Sequence, residues 1–275
     1  MSFAESLASR RFALALEITP PQRSLPRVLG RRAGLLADAA EAINVIQRPD
    51  RQSSLEASAE LAALGANPAW HLVTRGRTET MISADLDRAA ASNIRQILCI
   101  RGDHDVEPGA PEVTIRRAIE LATGRMPGAL IGATLNQYVR DRPAALKNLL
   151  PKLAAGASYV QTQPVFDLAA LTPLAGEVKA HVPGTSIIAM AMPLVSAAAA
   201  SGIAARLGIE LPDAGEGGVD AAWERFAMVL AGLVESPLVD GVAIMTYEMD
   251  PHPETGERIL QALRWAGALP PPADS

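Results

Sequence analysis

Eight short apolar runs rich in β-branched residues recur along the chain, separated by segments with helical periodicity. The runs span residues 12–19, 42–47, 69–75, 96–102, 130–136, 159–165, 186–192 and 241–247. Helical periodicity predicts helices between them, among others at residues 53–64, 83–92, 113–123, 142–154, 168–180, 197–207 and 219–233. Strict alternation of strand and helix makes the strands parallel.

Eight such units in a chain of 275 residues favour a closed barrel. An open, doubly wound sheet is the alternative, but that fold usually has a glycine-rich turn after its first strand, and residues 17–21 contain no glycine. No change of composition divides the chain. We therefore predict an α/β protein, a single (β/α)8 TIM barrel over residues 1–275, with a frayed tail at about 269–275.

Composition excludes several classes of function. The single cysteine, Cys99, lies in an apolar run, so a disulfide within the chain is impossible and a Cys-based metal site is not expected. Four histidines without metal-ligand spacing predict no catalytic metal. The net charge of -5 argues against a nucleic-acid partner, and no apolar run is long enough to cross a membrane. With no signal peptide visible, we expect a cytoplasmic protein.

In a barrel of this kind, function is expected where the strands end. Glu17 lies in the first apolar run, where burial of a carboxylate is costly unless it is paired or protonated. It is either a general acid or a member of a structural ion pair. His71, on the third run, is more typical of a hydrogen-bonded core residue than of a ligand.

The fourth and sixth runs also end in polar residues. Arg101 can bind phosphate or carboxylate, Gly102 allows close backbone approach, and Asp103 follows at once; an ordinary solvated turn is the alternative. Gln161 and Gln163 share one face if the strand alternates strictly, and their amides suit the mixed donor and acceptor edge of a heterocycle. These residues indicate proton transfer to a neutral heterocycle, without naming it.

Four of these motifs, in order, resemble the methylenetetrahydrofolate reductase family. They are Glu17 followed by Pro20-Pro21, the pair His71-Leu72, the run Arg101-Gly102-Asp103, and Lys152 with Ala155-Gly156-Ala157 followed by Thr162-Gln163 and Phe166-Asp167. The resemblance covers roughly residues 12 to 250. It implies reduction of 5,10-methylenetetrahydrofolate to 5-methyltetrahydrofolate, with NADH or NADPH as electron source and FAD as the usual carrier.

The resemblance also implies roles for individual residues. Glu17 and Asp103 match the catalytic pair, with Glu17 as the general acid that protonates N10 and Asp103 stabilising the cation that follows. Gln163, with Glu17 and Asp103, would bind the substrate. The positions that match FAD contacts are His71, Arg101, Gly102, Asp103, Asn148 and Lys152.

Other positions depart from the family pattern, and four of them remove a polar partner of the flavin: Ile46, Leu135, Ala145 and Pro151. Ala197 and the run Thr246-Tyr247-Glu248-Met249 also differ from the substrate-binding pattern. We therefore expect a weakened FAD site. A flavin-independent reductase that uses NADH directly, and a non-catalytic folate-binding or partner subunit on the same barrel, remain alternatives; so do monomer and homo-oligomer.

Overall fold

The computed structural model describes residues 2–103, 106–107, 109–211 and 217–271. Its eight strands form a closed barrel in sequence order, every neighbouring pair is parallel, and β8 pairs with β1. The strands are β1 Ala13–Ile18, β2 Ala42–Val45, β3 Pro68–Val73, β4 Gln96–Ile100, β5 Leu130–Leu135, β6 Tyr159–Pro164, β7 Ser186–Ala191 and β8 Gly241–Ile244. The predicted (β/α)8 barrel and its eight strands are confirmed.

Helices surround the barrel. They are α1 Phe3–Ala8, α2 Pro26–Ala33, α3 Ser54–Ala63, α4 Glu79–Ala91, α5 Ile115–Arg125, α6 Arg142–Ala154, α7 Leu168–His181, α8 Ala197–Leu207, α9 Gly218–Glu235 and α10 Pro253–Trp265, with a 3-10 helix at Gly34–Ala39. Each of helices α3 to α8 begins after a Ser, Thr or Asp whose side chain accepts a hydrogen bond from a first-turn N–H, which satisfies a donor that has no partner within the helix.

Side chains alternate between the two sides of the barrel wall. On β1, Leu14, Leu16 and Ile18 face outward into the large core between strands and helices, where Cys99 is also buried. The inward positions form a second core made mostly of small residues. Its buried members are Phe3, Ala13, Ala15, Ala42, Leu98, Tyr159, Ile188 and Ala243. This inner core fills the lower barrel and leaves the strand ends for polar groups.

Tyr159 fills much of that interior. Its ring lies against Gly132, where an added Cβ would come within 2.2 Å of the ring, and it meets Phe3 of α1 edge to face at 6.3 Å between centroids. In a chain with few aromatic residues, the single ring of Tyr159 thus occupies interior space beside alanines and a glycine.

Candidate active site

Glu17 is the inward-facing residue near the carboxyl end of β1. It follows Ala13 and Ala15 on the same face, because inward positions recur every second residue. The side chain is buried, and Asn44 lies beside it in the register of β1 with β2. A carboxyl group thus lies on top of the apolar inner core.

Two amides connect Glu17 to strands β2 and β6. Gln161 donates from Nε2 to Oε2 of Glu17 at 2.9 Å, and Asn44 donates from Nδ2 to Oε1 of Gln161 at 2.7 Å. All three side chains are buried. The sequence offered Gln161, with Gln163, as an amide that faces a ligand, whereas in the structure it bonds Glu17 and Asn44; Asn44 was missed. The available signal for Asn44 was one amide in an apolar strand, Ala42–Val45.

His71 on β3 reaches the same carboxyl group. Its Nε2 lies 3.9 Å from Oε2 of Glu17, is buried, and has no hydrogen-bond partner in the described part of the chain. Ser54 donates to the His71 carbonyl at 3.0 Å, which ties the strand to α3. The structure therefore places His71 beside the acid, in the polar layer at the top of the barrel.

Burial shifts the pKa values of Glu17 and His71 in opposite directions. Removal from water raises the pKa of Glu17 to about 7, against smaller lowering effects of the Gln161 hydrogen bond and of Arg206 and Arg48. Removal from water lowers the pKa of His71 to about 4. Near neutral pH, a large fraction of Glu17 holds a proton while His71 is neutral, which is the arrangement a general acid requires.

A small cavity of about 20 Å³ adjoins Glu17. Its walls include Ile46, Arg32 and Thr246, and the loop after β8 covers one side. Asp250 in that loop pairs with Arg31 at 2.8 Å and Arg32 at 3.3 Å. The cavity is about the size of one water molecule, so a pterin ring needs more room than this cavity gives.

The end of β4 carries Arg101, Gly102 and Asp103. Arg101 forms a two-pronged ion pair with Glu112, at 2.6 and 3.1 Å, and its side chain is mostly exposed. Gly102 has φ +87°, so a residue with a side chain would be strained there. Asp103 is exposed. Residues 104–105, which follow, lie outside the described residues.

A bulge shapes the end of β6. The pairing with β7 adds a residue between Gln161 and Pro164, which interrupts the strict alternation assumed for Gln161 and Gln163. Gln137 holds the bulge: its Nε2 donates to the Gln163 carbonyl at 2.9 Å, and its Oε1 accepts from the Gln163 N–H at 3.1 Å. The Gln163 side chain itself is half-buried and makes no hydrogen bond within the described residues.

The remaining two predicted residues lie on α6. Asn148 is exposed, whereas Lys152 is buried in the last turn and burial lowers its pKa. The last turn of a helix in this fold leads to the start of the next strand, so Lys152 lies toward the end of the barrel opposite Glu17. The structure groups Glu17 with His71 and does not bring Lys152 to them.

The described residues show neither a metal cluster nor a membrane span. They contain no group of three His, Cys, Asp or Glu side chains that could hold a metal ion. Within the same ranges, every helix is too short or too polar to cross a membrane.

The closed parallel barrel and its buried carboxyl group at the strand ends define the class of α/β-barrel enzymes. The sequence profile of methylenetetrahydrofolate reductase matches residues 2–215, well over half of the chain. The chain therefore belongs to the methylenetetrahydrofolate reductase family. The match ends before β8, the strand after which the run from Thr246 to Met249 departs from the family pattern.

Structural comparison supports the fold. Two crystal structures of phosphonopyruvate hydrolase, one in complex with oxalate and Mg++, align with TM-scores of 0.51 and 0.50 over 98% of this chain and 86% of theirs. Their sequences are 13% and 14% identical to this one, so the likeness concerns the barrel alone. A search of the curated proteins returned no match.

Proposed function

We propose that the protein reduces 5,10-methylenetetrahydrofolate to 5-methyltetrahydrofolate with electrons from NADH or NADPH. Membership of the family supports the reaction class. The observation that carries the proposal is the buried Glu17, whose pKa of about 7 lets the carboxyl group keep a proton at neutral pH.

Glu17 acts as the general acid. It gives its proton to N10 of the folate as the C–N10 bond of the five-membered ring breaks, which leaves a 5-iminium cation. A hydride from the reduced nicotinamide then adds to the methylene carbon and forms the 5-methyl group. One proton and one hydride are consumed, and one oxidised nicotinamide is released.

Asp103 and Gln163 act on the substrate at the strand ends. The exposed carboxylate of Asp103 offers a negative charge to the cation, where electrostatic stabilisation is most effective. Gln163 offers an amide whose hydrogen-bonding groups are unused within the described residues, while Gln137 fixes its backbone. An amide can match both donors and acceptors of a pterin edge.

The residues that the resemblance assigns to FAD fit that cofactor poorly. Arg101 is engaged by Glu112, and Lys152 lies in the last turn of α6. His71 is buried with its unpartnered Nε2 toward Glu17. We therefore assign no step to a flavin. FAD as carrier remains a proposal from the family, and these contacts favour direct hydride transfer from the nicotinamide as a second candidate.

The test uses the purified full chain with 5,10-methylenetetrahydrofolate and either NADH or NADPH. Formation of 5-methyltetrahydrofolate, with one nicotinamide oxidised per product, supports the proposal. The visible spectrum of the same sample reveals any bound flavin and separates the two carriers. Binding of the folate without conversion under either nicotinamide, with or without added FAD, would overturn the proposal and favour a non-catalytic folate-binding subunit.

A further inference from the structure

Asn44, Gln161 and Glu17 form a line of buried side chains from three different strands. The two hydrogen bonds, 2.7 Å from Asn44 to Gln161 and 2.9 Å from Gln161 to Glu17, run in one direction along it. We propose that Asn44, acting through Gln161, is a positioning residue that keeps the acid proton of Glu17 on Oε1. This inference rests on the proposed function, in which Glu17 donates that proton to the folate.

An amide side chain donates hydrogen bonds from its nitrogen and accepts them at its oxygen. Because Oε1 of Gln161 accepts from Asn44, its Nε2 faces Glu17 and can only donate. Oε2 of Glu17 is therefore an acceptor, and a proton on the carboxyl group belongs on Oε1. This orientation suits both charge states of Glu17, whereas the reversed amide would face an ionised carboxylate with its oxygen.

Burial makes the orientation of the Asn44 and Gln161 amides important, because a buried polar atom without a partner is costly. The Oδ1 atom of Asn44 is buried and has no partner within the described residues. Reversal of both amides would instead leave the Asn44 nitrogen without an acceptor, and buried N–H groups without partners are the rarer case. In the reversed arrangement, a protonated Glu17 would donate to Gln161 and its proton would be turned away from the substrate.

Charged or titratable groups from several other elements lie around Glu17, and two of them, Arg32 of α2 and Glu248 after β8, line the cavity beside it. His71 of β3 lies near Oε2, and Arg48, after β2, and Arg206 of α8 act on the carboxylate through their charge. None of them contacts Gln161 through a hydrogen bond within the described residues. Substitutions at Asn44 and Gln161 therefore change the amide line and leave these groups in place.

The test is an infrared titration of the Glu17 carboxyl band, assigned by its loss in Glu17→Gln, which requires no substrate. We expect Gln161→Leu to raise the titration midpoint of Glu17 by about one to two pH units, since a hydrogen bond to the ionised form is lost. Asn44→Leu should raise it less. In Asn44→Asp, the new carboxylate can accept a hydrogen bond from Nε2 of Gln161 and so reverse the Gln161 amide. A protonated Glu17 would then donate to Gln161, and its carboxyl band should move to lower frequency.

Gln96→Leu is the matched control, because it also removes a buried strand amide but acts on Tyr159, toward the other end of the barrel. We expect it to leave the midpoint unchanged. In the reductase assay, Asn44→Leu should lower kcat and shift its pH profile with little change in KM. An unmoved Glu17 band in both Asn44 variants would overturn this inference even if the wild type reduces folate. A moved band in a protein that reduces no folate would leave the inference standing and overturn the proposed function instead.

Discussion

Glu17 and His71 are buried side by side at the top of the barrel, and burial shifts their pKa values in opposite directions. Burial raises the pKa of Glu17 to about 7 and lowers that of His71 to about 4, so near pH 7 a large fraction of Glu17 is protonated while His71 is neutral. A neutral pair avoids an unpaired charge in the barrel. It also leaves a proton available for donation near the working pH of most enzymes.

The first prediction concerns Glu17→Gln. We expect loss of folate reduction by about 10²–10⁴-fold, because the amide cannot supply the proton that general acid catalysis requires. The circular dichroism spectrum should match that of the wild type, since Gln preserves the volume of the side chain. Near wild-type turnover in this variant would show that Glu17 is not the acid.

The same variant makes a prediction about stability. The folded pKa of Glu17, about 7, lies above the ordinary value of 4.5, so its contribution is full below pH 4.5 and is lost as pH rises through 7. His71 acts in the opposite sense: its contribution is present above pH 6.5 and is lost as pH falls through 4. The stability of the wild type minus that of Glu17→Gln should therefore fall by about 3 kcal/mol from pH 4.5 to above 7.

Chemical denaturation of the two proteins at several pH values measures that difference. His71 is present in both, so its contribution cancels. A difference that stays constant across this range would mean that Glu17 titrates as an exposed carboxyl group does.

Asp103→Asn tests the second carboxylate. We expect turnover with the folate to fall more than oxidation of the nicotinamide by an artificial electron acceptor, because the charge of Asp103 matters most where the cation forms. Steady-state rates of the two reactions provide the comparison. Equal losses in both would assign Asp103 a structural role.

At the level of elements, the contact between β5 and β6 leaves no spare room in the inner core. Gly132 lies under the ring of Tyr159, with no room for a Cβ. Gly176 on α7 offers the contrasting case, since an added Cβ meets nothing within 4 Å.

We expect Gly132→Ala to destabilise the protein by about 1–3 kcal/mol through overpacking. The matched substitution Gly176→Ala should be neutral or stabilising by up to about 1 kcal/mol, because alanine is the better helix former. Thermal or denaturant unfolding of both variants checks the pair. Similar stabilities for the two variants would indicate that Tyr159 relaxes freely, against the packing described.

The elements differ in how well the sequence predicts them. All eight strands could be predicted because each is a short apolar run between turns, and α6 and α8 begin and end where predicted. Helices α1 and α2 were not predicted, since six and eight residues are too few for a clear period. Helix α10 was also missed, although Pro253 in its first turn is a typical start signal.

At the scale of the whole molecule, closure of the barrel creates the site. Glu17 could be singled out from β1 alone, because a carboxyl group in an apolar strand is conspicuous. Its contact with Gln161, 144 positions along the chain, depends on β1 and β6 facing each other across the barrel. The ion pair of Arg101 with Glu112 was equally unpredictable, because it depends on the path of a loop.

Flavin binding would depend on residues from several elements, and we expect it to be weak. Four positions that match polar flavin contacts in the family carry apolar residues here: Ile46, Leu135, Ala145 and Pro151. Each hydrogen bond lost in this way costs about 0.5–1.5 kcal/mol. Three or four such losses raise the dissociation constant by a few powers of ten. Titration of FAD into the flavin-free protein, followed by flavin fluorescence, measures the constant. Absence of saturable binding at high micromolar FAD, together with nicotinamide-dependent folate reduction, would assign the reaction to direct hydride transfer.

The apolar packing beneath Glu17 has a consequence for the timing of turnover. In the part of the chain that the structure describes, Ala15, Ala42, Leu98 and Tyr159 fill the barrel below the carboxyl group. We therefore expect protons from solvent to reach Glu17 through the mouth that, under the proposed mechanism, also admits the folate. A bound folate then blocks the recharging of the acid. Under the proposed mechanism, the acid is reloaded in the interval after the product departs. In heavy water, deuterium should therefore enter the Glu17 carboxyl group between catalytic cycles. The deuteron transferred in each cycle should be one that Glu17 took up before the folate bound.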